Sequence, residues 1–205
     1  MKNFELIDNL FQVLLLFCLA LSSGIFALHH KSRSLMVLSL AYACFAMGTT
    51  YYVLYLVIIG IWPQVFYVAE ISWLSAWLFY LSAQILRTEG VKHRFYIPAA
   101  AVAAIIAVVA FADQVFGPSY FISALFSLTA GATVYFSISN MKYSTVHKGM
   151  DILMICCVVL QLLVYLVSDF TQDYTHFNLY FAVDIIFDLS MAALLPLTLQ
   201  EVKRN

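Results

Sequence analysis

The chain has 205 residues, of which 64% are hydrophobic and only 10% are charged. Soluble domains contain about 45–50% apolar and about 25% charged residues, because a surface in contact with water needs charge. The composition therefore excludes a soluble enzyme and a nucleic-acid-binding protein. It predicts an all-α, polytopic membrane protein whose main partner is the lipid bilayer.

Seven apolar segments are each long enough to form a membrane-spanning helix, which takes about 20 residues for a bilayer core of about 30 Å. Charged or helix-breaking residues separate these segments, such as Gly117-Pro118 after the fourth one. The sequence predicts one domain, residues 1–205, folded as a seven-helix bundle. The predicted spans cover residues 10–28, 34–59, 65–85, 95–111, 120–139, 151–168 and 177–199.

Nine of the ten lysine and arginine residues lie in alternate connections or in the C-terminal tail, and Lys2 is the exception. Because basic residues are enriched in the cytoplasmic loops of membrane proteins, the N-terminus is predicted outside and the C-terminus in the cytoplasm. We expect a multi-pass protein of a bacterial plasma membrane. The nine residues are Lys31, Arg33, Arg87, Lys92, Arg94, Lys142, Lys148, Lys203 and Arg204.

Small residues recur at helical spacing in the fourth and fifth predicted spans. The fourth span is rich in alanine between Ala99 and Ala110, and the fifth contains Ser123, Ser127 and Gly131. Small residues three and four positions apart let two helix backbones approach closely. The pattern favours tight packing between helices over the lining of a pore.

Polar and aromatic residues form stripes on four of the predicted spans. In the third span, residues from Glu70 to Gln84 recur at steps of three and four, which places them on one helix face. The seventh span has two aspartates one turn apart. The candidate ligand-binding residues are Glu70, Trp73, Trp77, Tyr51, Tyr165, Asp184 and Asp188.

The three carboxylates carry most of the functional signal. A charged residue near the bilayer centre costs about 2.5–3.5 kcal/mol on insertion scales, and such residues face the bundle interior. No lysine or arginine lies within a predicted span to neutralise Glu70, Asp184 or Asp188. Two interpretations stay open: a site for a small cation from outside, and a protonated structural cluster hydrogen-bonded by tyrosines. In either case the third, sixth and seventh spans are expected to meet inside the bundle.

The aromatic residues are equally open to two interpretations. Trp73 and Trp77 share the face of Glu70, and rings beside acids can form a cage for an organic cation. Aromatic residues at helical spacing are also typical of an ordinary helix core.

Several known chemistries lack their residues in this sequence. The last predicted span has no lysine for a retinal Schiff base, since Lys203 follows its end. All five histidines lie in connections or at span ends, where they cannot form a zinc site, a haem site or a catalytic pair with an intramembrane serine. We therefore expect no enzymatic activity, no catalytic residue, no metal site and no cofactor.

The third span reads Glu70-Ile-Ser-Trp73-Leu-Ser-Ala-Trp77-Leu-Phe-Tyr80-Leu81. This pattern of an acid, a tryptophan-leucine pair and an aromatic-leucine run, in seven short-looped spans, resembles the seven-helix input modules of bacterial histidine kinases and diguanylate cyclases. The resemblance implies a sensory module. Those modules feed a cytoplasmic kinase or cyclase domain, and no such domain follows the last span here, so it further implies a free-standing sensor or one that signals through a partner.

Two functions from different classes follow from these observations. The first is a receptor-like module that binds a small, cationic ligand from the outer side. The alternative is a small proton- or cation-coupled transporter in which the same carboxylates couple solute movement to ions. Transporters often contain helices broken near the bilayer midplane. Pro98 and Pro196 lie near the ends of their predicted spans, which favours the receptor.

Overall fold

The computed structural model describes residues 4–60, 67–87, 95–113, 119–143 and 148–204, and these form seven α-helices without a β-strand. Five of them, α1, α2, α5, α6 and α7, have the length and apolar character that a membrane crossing requires. The prediction of an all-helical membrane protein is confirmed for this part of the chain. The helices are α1 (Phe4–His30), α2 (Arg33–Ile59), α3 (Tyr67–Arg87), α4 (Ile97–Asp113), α5 (Tyr120–Tyr143), α6 (Lys148–Phe170) and α7 (Leu179–Arg204).

Each predicted span falls on one helix, and several of these helices extend beyond the predicted span. Helix α1 begins at Phe4 instead of residue 10, and α3 ends at Arg87 instead of residue 85. The polar residues Glu5, Asp8 and Arg87 made these stretches resemble loops. Their side chains are buried inside the bundle, where Glu5 accepts from Tyr52 and Arg87 pairs with Glu201.

Two helix ends follow from local sequence. The Ser32 hydroxyl accepts a hydrogen bond from the Leu35 N–H at 3.4 Å, which caps the start of α2. At the other end of α2, Gly60 adopts a left-handed conformation with φ of 78° and donates its N–H to the Leu56 carbonyl at 3.0 Å. Glycine takes this conformation at little cost, so it ends the helix cleanly.

Six helices close into a ring. Neighbours around it are α1 and α2, α2 and α3, α3 and α5, α5 and α6, α6 and α7, and finally α7 and α1. Helix α4 lies outside the ring and packs mainly on α5. Helices α1, α3, α5 and α7 run in the same direction and begin at one end of the ring. We call this the N-terminal end.

The contact between α4 and α5 uses the small residues that the sequence marked. A Cβ atom added at Gly131 would lie 2.9 Å from the Ala103 carbonyl oxygen and 3.0 Å from the Ala107 Cβ. Ala99, Ala103 and Ala110 are buried on the facing side of α4. The expected tight helix packing is confirmed, and only glycine at position 131 permits it.

The outer surface of the bundle is apolar. Large side chains such as Leu14, Leu21 and Leu28 on α1 are more than half exposed, and similar residues cover the other helices. A soluble monomer rarely exposes contiguous apolar patches of this kind. With backbone polar groups paired within helices, this surface is suited to lipid.

Candidate functional site

A cavity of about 320 Å³ lies inside the ring at the N-terminal end. Helices α1, α2, α3, α6 and α7 and the connection between α6 and α7 all contribute to its wall. Acidic, amide and aromatic side chains dominate the lining within the described part of the chain, and it contains no lysine, arginine or histidine. The lining residues are Glu5, Asn9, Gln12, Phe45, Tyr52, Trp73, Gln161, Val164, Tyr165, Ser168, Tyr174, Tyr180, Asp184 and Phe187.

The connection between α6 and α7 closes one side of the cavity mouth. Thr175 donates its hydroxyl at 2.6 Å and its N–H at 2.8 Å to the Asp173 carboxylate, and these bonds lower the pKa of Asp173. The carbonyls of Tyr174 and Thr175 accept hydrogen bonds from the N–H groups of Glu5 at 3.2 Å and Phe4 at 3.3 Å. The first N–H groups of a helix have no partner within it, so this connection both caps and fixes α1.

The acidic wall comes from α1 and α7. Glu5 is 6% exposed and accepts a hydrogen bond from the Tyr52 hydroxyl at 2.6 Å. Asp8 and Asp184 are 3% and 8% exposed.

A chain of hydrogen bonds runs across the ring behind this wall. The Trp73 indole N–H of α3 donates to the Thr49 hydroxyl at 3.3 Å, and Thr49 donates to the Gln12 Oε1 atom at 2.7 Å. Gln12 then donates through Nε2 to Asp188 Oδ1 at 2.8 Å. Four helices are thus joined through polar atoms, since α2 carries Thr49, α1 carries Gln12 and α7 carries Asp188.

Close backbone packing places Trp73 in this chain. A Cβ atom at Gly48 would lie 2.7 Å from the Trp73 Nε1 atom and 3.0 Å from the Ala69 carbonyl oxygen. Glycine at this position leaves room for the indole beside α2. Thr49, the next residue, then receives its N–H.

Aromatic rings form the remaining wall and the floor. Near the mouth, Tyr174 and Tyr180 meet edge to face with ring centroids 5.2 Å apart. At the floor, Trp77 stacks on Phe187 at 6.4 Å. Below these rings, Tyr42 donates its hydroxyl to the Met191 carbonyl at 2.7 Å, and Tyr80 reaches the sulfur of the same residue at 3.6 Å. This layer separates the cavity from the opposite end of the bundle.

The predicted site residues divide into two groups. Trp73, Tyr165 and Asp184 line the cavity, as a ligand-binding role requires. Asp188 is fully buried behind the lining and contacts the cavity residue Gln12. Whether these residues bind a ligand stays a prediction.

The other three predicted residues do not line the cavity. Trp77 is 2% exposed and belongs to the core layer of aromatic rings. Tyr51 is half-buried and lies beside Tyr55, with ring centroids 6.1 Å apart. Glu70 is half-buried in the first turn of α3, one turn before Trp73. The stripe on the helix face could not predict which of these residues line the cavity. That depends on how far along the helix axis each residue lies relative to the cavity.

Sequence reasoning missed the contribution of α1. Glu5, Asp8 and Gln12 are spaced by three and four residues, and the buried stripe continues with Leu16 and Ala20. This spacing was the available signal. The acids lay before the first predicted span, so they were interpreted as an outer segment.

A second buried polar group, the ion cluster, lies at the opposite end and consists of Arg87, Asp151 and Glu201. The Arg87 guanidinium donates through Nε and Nη2 to the two Glu201 carboxylate oxygens, each at 2.6 Å, and through Nη1 to Asp151 at 3.2 Å. Gln84 donates to Asp151 at 2.5 Å. Through this cluster α3, α6 and α7 meet inside the bundle, but at other residues than the predicted Glu70, Tyr165 and Asp184. The sequence had placed Arg87 in a loop, which was wrong.

Among the described residues, no three histidine, cysteine, aspartate or glutamate side chains are grouped so that they could hold a metal ion. His29, His30 and His176 lie at the end of α1 and in the connection before α7, whereas His93 and His147 lie outside the described ranges.

Comparison of the chain with known protein families, with curated proteins and with solved structures finds no significant match. The resemblance of the third helix to bacterial sensory modules therefore stays a prediction. The cavity is the feature from which a function can be inferred.

Proposed function

We propose that this protein is a receptor-like, sensory membrane module that binds a small organic cation in the cavity at its N-terminal end. All seven helices cross the bilayer in this proposal, with the N-terminal end outside a bacterial plasma membrane and the C-terminus in the cytoplasm. The alternation of basic and acidic connections supports this orientation. Among the described residues, the lysines and arginines at helix ends lie at the other end of the bundle from the acidic connection that contains Asp173. They include Lys31, Lys142 and Lys148.

The observation that carries the proposal is the composition of the cavity wall. Glu5 and Asp184 bring carboxyl groups to a space walled by Tyr52, Trp73 and Tyr165, and no cationic side chain of the described residues lines it. Buried acids in a membrane protein are paired or serve an ion pathway or binding site. Since the described residues supply no positive partner here, a cationic ligand supplies it.

The aromatic wall favours an organic cation over an inorganic one as the ligand. The faces of tryptophan and tyrosine rings attract ammonium groups by about 0.5–2 kcal/mol each, more when water is excluded. The cavity volume of about 320 Å³ lies at the lower limit of small-molecule pockets, which span about 300–1,000 Å³. Amines and quaternary ammonium ions of a few carbon atoms fit these limits.

The floor favours a receptor over the alternative, a proton- or cation-coupled transporter. Trp77, Phe187 and Met191 are at most 2% exposed and fill the space between the cavity and the ion cluster. A ligand in the cavity therefore has contact with one side of the bundle only. Helices α3 and α7 run from the cavity to the ion cluster. Through them, ligand binding would be transmitted to a cytoplasmic or membrane signalling partner.

Thermal unfolding of the purified protein with choline, benzylammonium and methylammonium tests the proposal. The uncharged isostere of choline, dimethylbutanol, is the ligand control. A ligand that binds the folded state at a hundred times its Kd stabilises it by about 2.7 kcal/mol. We expect stabilisation by at least one cation and none by dimethylbutanol.

Three variants locate the site. Glu5→Gln and Asp184→Asn should each weaken cation binding at least tenfold in Kd, because an amide keeps the shape and loses the charge. Asp169→Asn changes an exposed acid outside the cavity lining and should bind normally. Equal stabilisation by choline and dimethylbutanol, or normal binding in both cavity variants, would contradict the proposal. Uptake of choline into proteoliposomes would instead favour the transporter.

A further inference from the structure

A second cavity, of about 400 Å³, lies at the end of the ring opposite the first one. It is formed by the connection between α1 and α2, the start of α2, and the last turns of α3 and α7. Apart from Leu86 and Val202, the described residues of its lining are charged or carry a hydroxyl group. They are Lys31, Ser32, Arg33, Ser34, Arg87 and Glu201.

The second cavity carries an excess of positive charge. Glu201 is the acid in its described lining, and both carboxylate oxygens of Glu201 accept hydrogen bonds from Arg87 at 2.6 Å. Asp151, the third member of the ion cluster, does not belong to this lining. Lys31 and Arg33 are exposed and form no ion pair with a described residue. Two positive charges at the cavity are therefore left without a partner on the described part of the chain.

Arg87 gives the second cavity a buried donor in a fixed position. Its side chain is 3% exposed and is held by hydrogen bonds to Glu201, Gln84 and Asp151. A guanidinium group has five N–H groups in a rigid fork, and the contacts of Arg87 account for at most four of them. At least one N–H group remains for a further acceptor.

The charge of the second cavity indicates what kind of ligand it fits. A phosphate monoester carries about 1.5–2 negative charges near neutral pH and has three strong acceptor oxygens. This charge matches the two positive charges of Lys31 and Arg33, whereas a carboxylate or a phosphodiester would balance only one of them. Guanidinium groups bind phosphate oxygens through short, charge-assisted hydrogen bonds. The start of α2 adds the partial positive charge of a helix N-terminus.

We propose that the second cavity binds the phosphate monoester group of an anionic ligand, with Lys31 and Arg33 balancing its charge and Arg87 fixing its position. The hydroxyl groups of Ser32 and Ser34, whose oxygens lie 3.2 Å apart, are further hydrogen-bonding groups of the site. Two sources carry this chemistry: the headgroup of the lipid phosphatidic acid, and a small water-soluble phosphomonoester. The site does not require a cation in the first cavity.

Calorimetry and thermal unfolding of the purified protein in a neutral detergent distinguish the two sources. Glycerol 3-phosphate is the soluble probe, and dihexanoyl phosphatidic acid is the lipid probe. Dihexanoyl phosphatidylglycerol, a phosphodiester with a single negative charge, is the control. We expect at least one phosphomonoester to bind at least tenfold more tightly than phosphatidylglycerol. Similar affinities for the two monoesters assign a soluble ligand, and much tighter binding of phosphatidic acid assigns a lipid headgroup.

Two double variants locate the site. Lys31→Gln with Arg33→Gln removes the unpaired charges, leaves the ion cluster intact, and should weaken phosphomonoester binding at least tenfold in Kd. Lys142→Gln with Lys148→Gln removes two exposed charges from the same end of the bundle, outside the described lining, and should change the Kd less than twofold. Both double variants should unfold near the temperature of the unaltered protein when no probe is present.

Three results would overturn this inference. They are no binding of either phosphomonoester, equal binding of phosphatidylglycerol, and equal losses of affinity in the two double variants. The last result would show that the whole basic end attracts anions without a specific site. None of these results bears on cation binding at the N-terminal end, so the two proposals stand or fall separately.

Discussion

Gln12 of α1 donates a hydrogen bond to Asp188 of α7 at 2.8 Å, although the two residues lie 176 positions apart in the chain. The same amide accepts from Thr49 at 2.7 Å, so one side chain bonds to both neighbours. Because all three side chains are buried, Gln12 joins the first, second and last helices of the chain, which close the ring between them. Gln12 also lines the cavity, so this junction forms part of its wall.

The first prediction concerns the stability that Gln12 provides. Gln12→Leu keeps the volume but leaves Thr49 and Asp188 without this partner. Hydrogen bonds between membrane helices contribute about 0.6 kcal/mol on average and up to about 1.7 kcal/mol. We expect a loss of about 1–2 kcal/mol, measured by chemical unfolding in detergent.

Thr49→Val completes a double-mutant cycle with Gln12→Leu. If the two side chains act through their mutual hydrogen bond, the double variant should lose less stability than the sum of the single ones, by about 0.5 kcal/mol or more. Purely additive losses would show that the bond contributes nothing.

The second prediction concerns the ion cluster. Arg87→Gln leaves the carboxylates of Asp151 and Glu201 buried without their cation, and removal of one partner from a buried ion pair costs about 3–5 kcal/mol. We expect a large drop in the unfolding temperature. Lys142→Gln, which removes an exposed charge at the same end of the bundle, is the control and should change little.

A partial rescue distinguishes charge from packing in this cluster. Adding Glu201→Gln to Arg87→Gln removes one of the unpaired carboxylates and should recover part of the lost stability. If the double variant is less stable than Arg87→Gln, packing dominates and the electrostatic explanation is wrong.

The third prediction compares two glycines. Gly131→Ala places a methyl group 2.9 Å from the Ala103 carbonyl oxygen, and overpacking of this kind costs about 1–3 kcal/mol. Gly149→Ala meets no atom within 4 Å in the first turn of α6 and gains helix propensity, by at most about 1 kcal/mol. Thermal unfolding should therefore show a lower midpoint for Gly131→Ala and an unchanged or higher one for Gly149→Ala. Equal midpoints would contradict the close α4–α5 contact.

The fourth prediction concerns topology. A reporter that is active only in the cytoplasm should function when fused after Arg204 and fail when inserted beside Asp173. The reason is the separation of basic from acidic connections between the two ends of the bundle. A second reporter, active only outside, should give the opposite pattern. Activity of one reporter at both positions would refute the seven-span, N-outside topology.

The helices themselves could be predicted from the sequence. Apolar runs of about 20 residues determine them, because in lipid a backbone must satisfy its own hydrogen bonds within the helix. The small residues around Gly131 likewise predicted a close helix contact, since backbone approach depends on the size of local side chains. The helices and this small-residue face are local features, so the sequence of each segment is sufficient to predict them.

The function of polar residues near helix ends could not be predicted in the same way. Glu5, Asp8 and Arg87 have the composition of loop residues, although their side chains are buried and those of Glu5 and Arg87 bond to partners on α2 and α6. A helix end gives no local sign of whether its charged residue faces water or another helix. The spacing of Glu5, Asp8 and Gln12 indicated a shared face, but nothing in it identified what that face meets.

The sequence by itself determined that this is a helical membrane protein and that its acids must avoid lipid, because composition and periodicity act within each helix. The tertiary structure decided which acids form a site. Asp184 lines the cavity with Glu5, while Glu70, its predicted companion, lies outside the lining. The choice depends on how the helices are ordered around the ring and on their relative depth, and both result from packing between segments far apart in the chain.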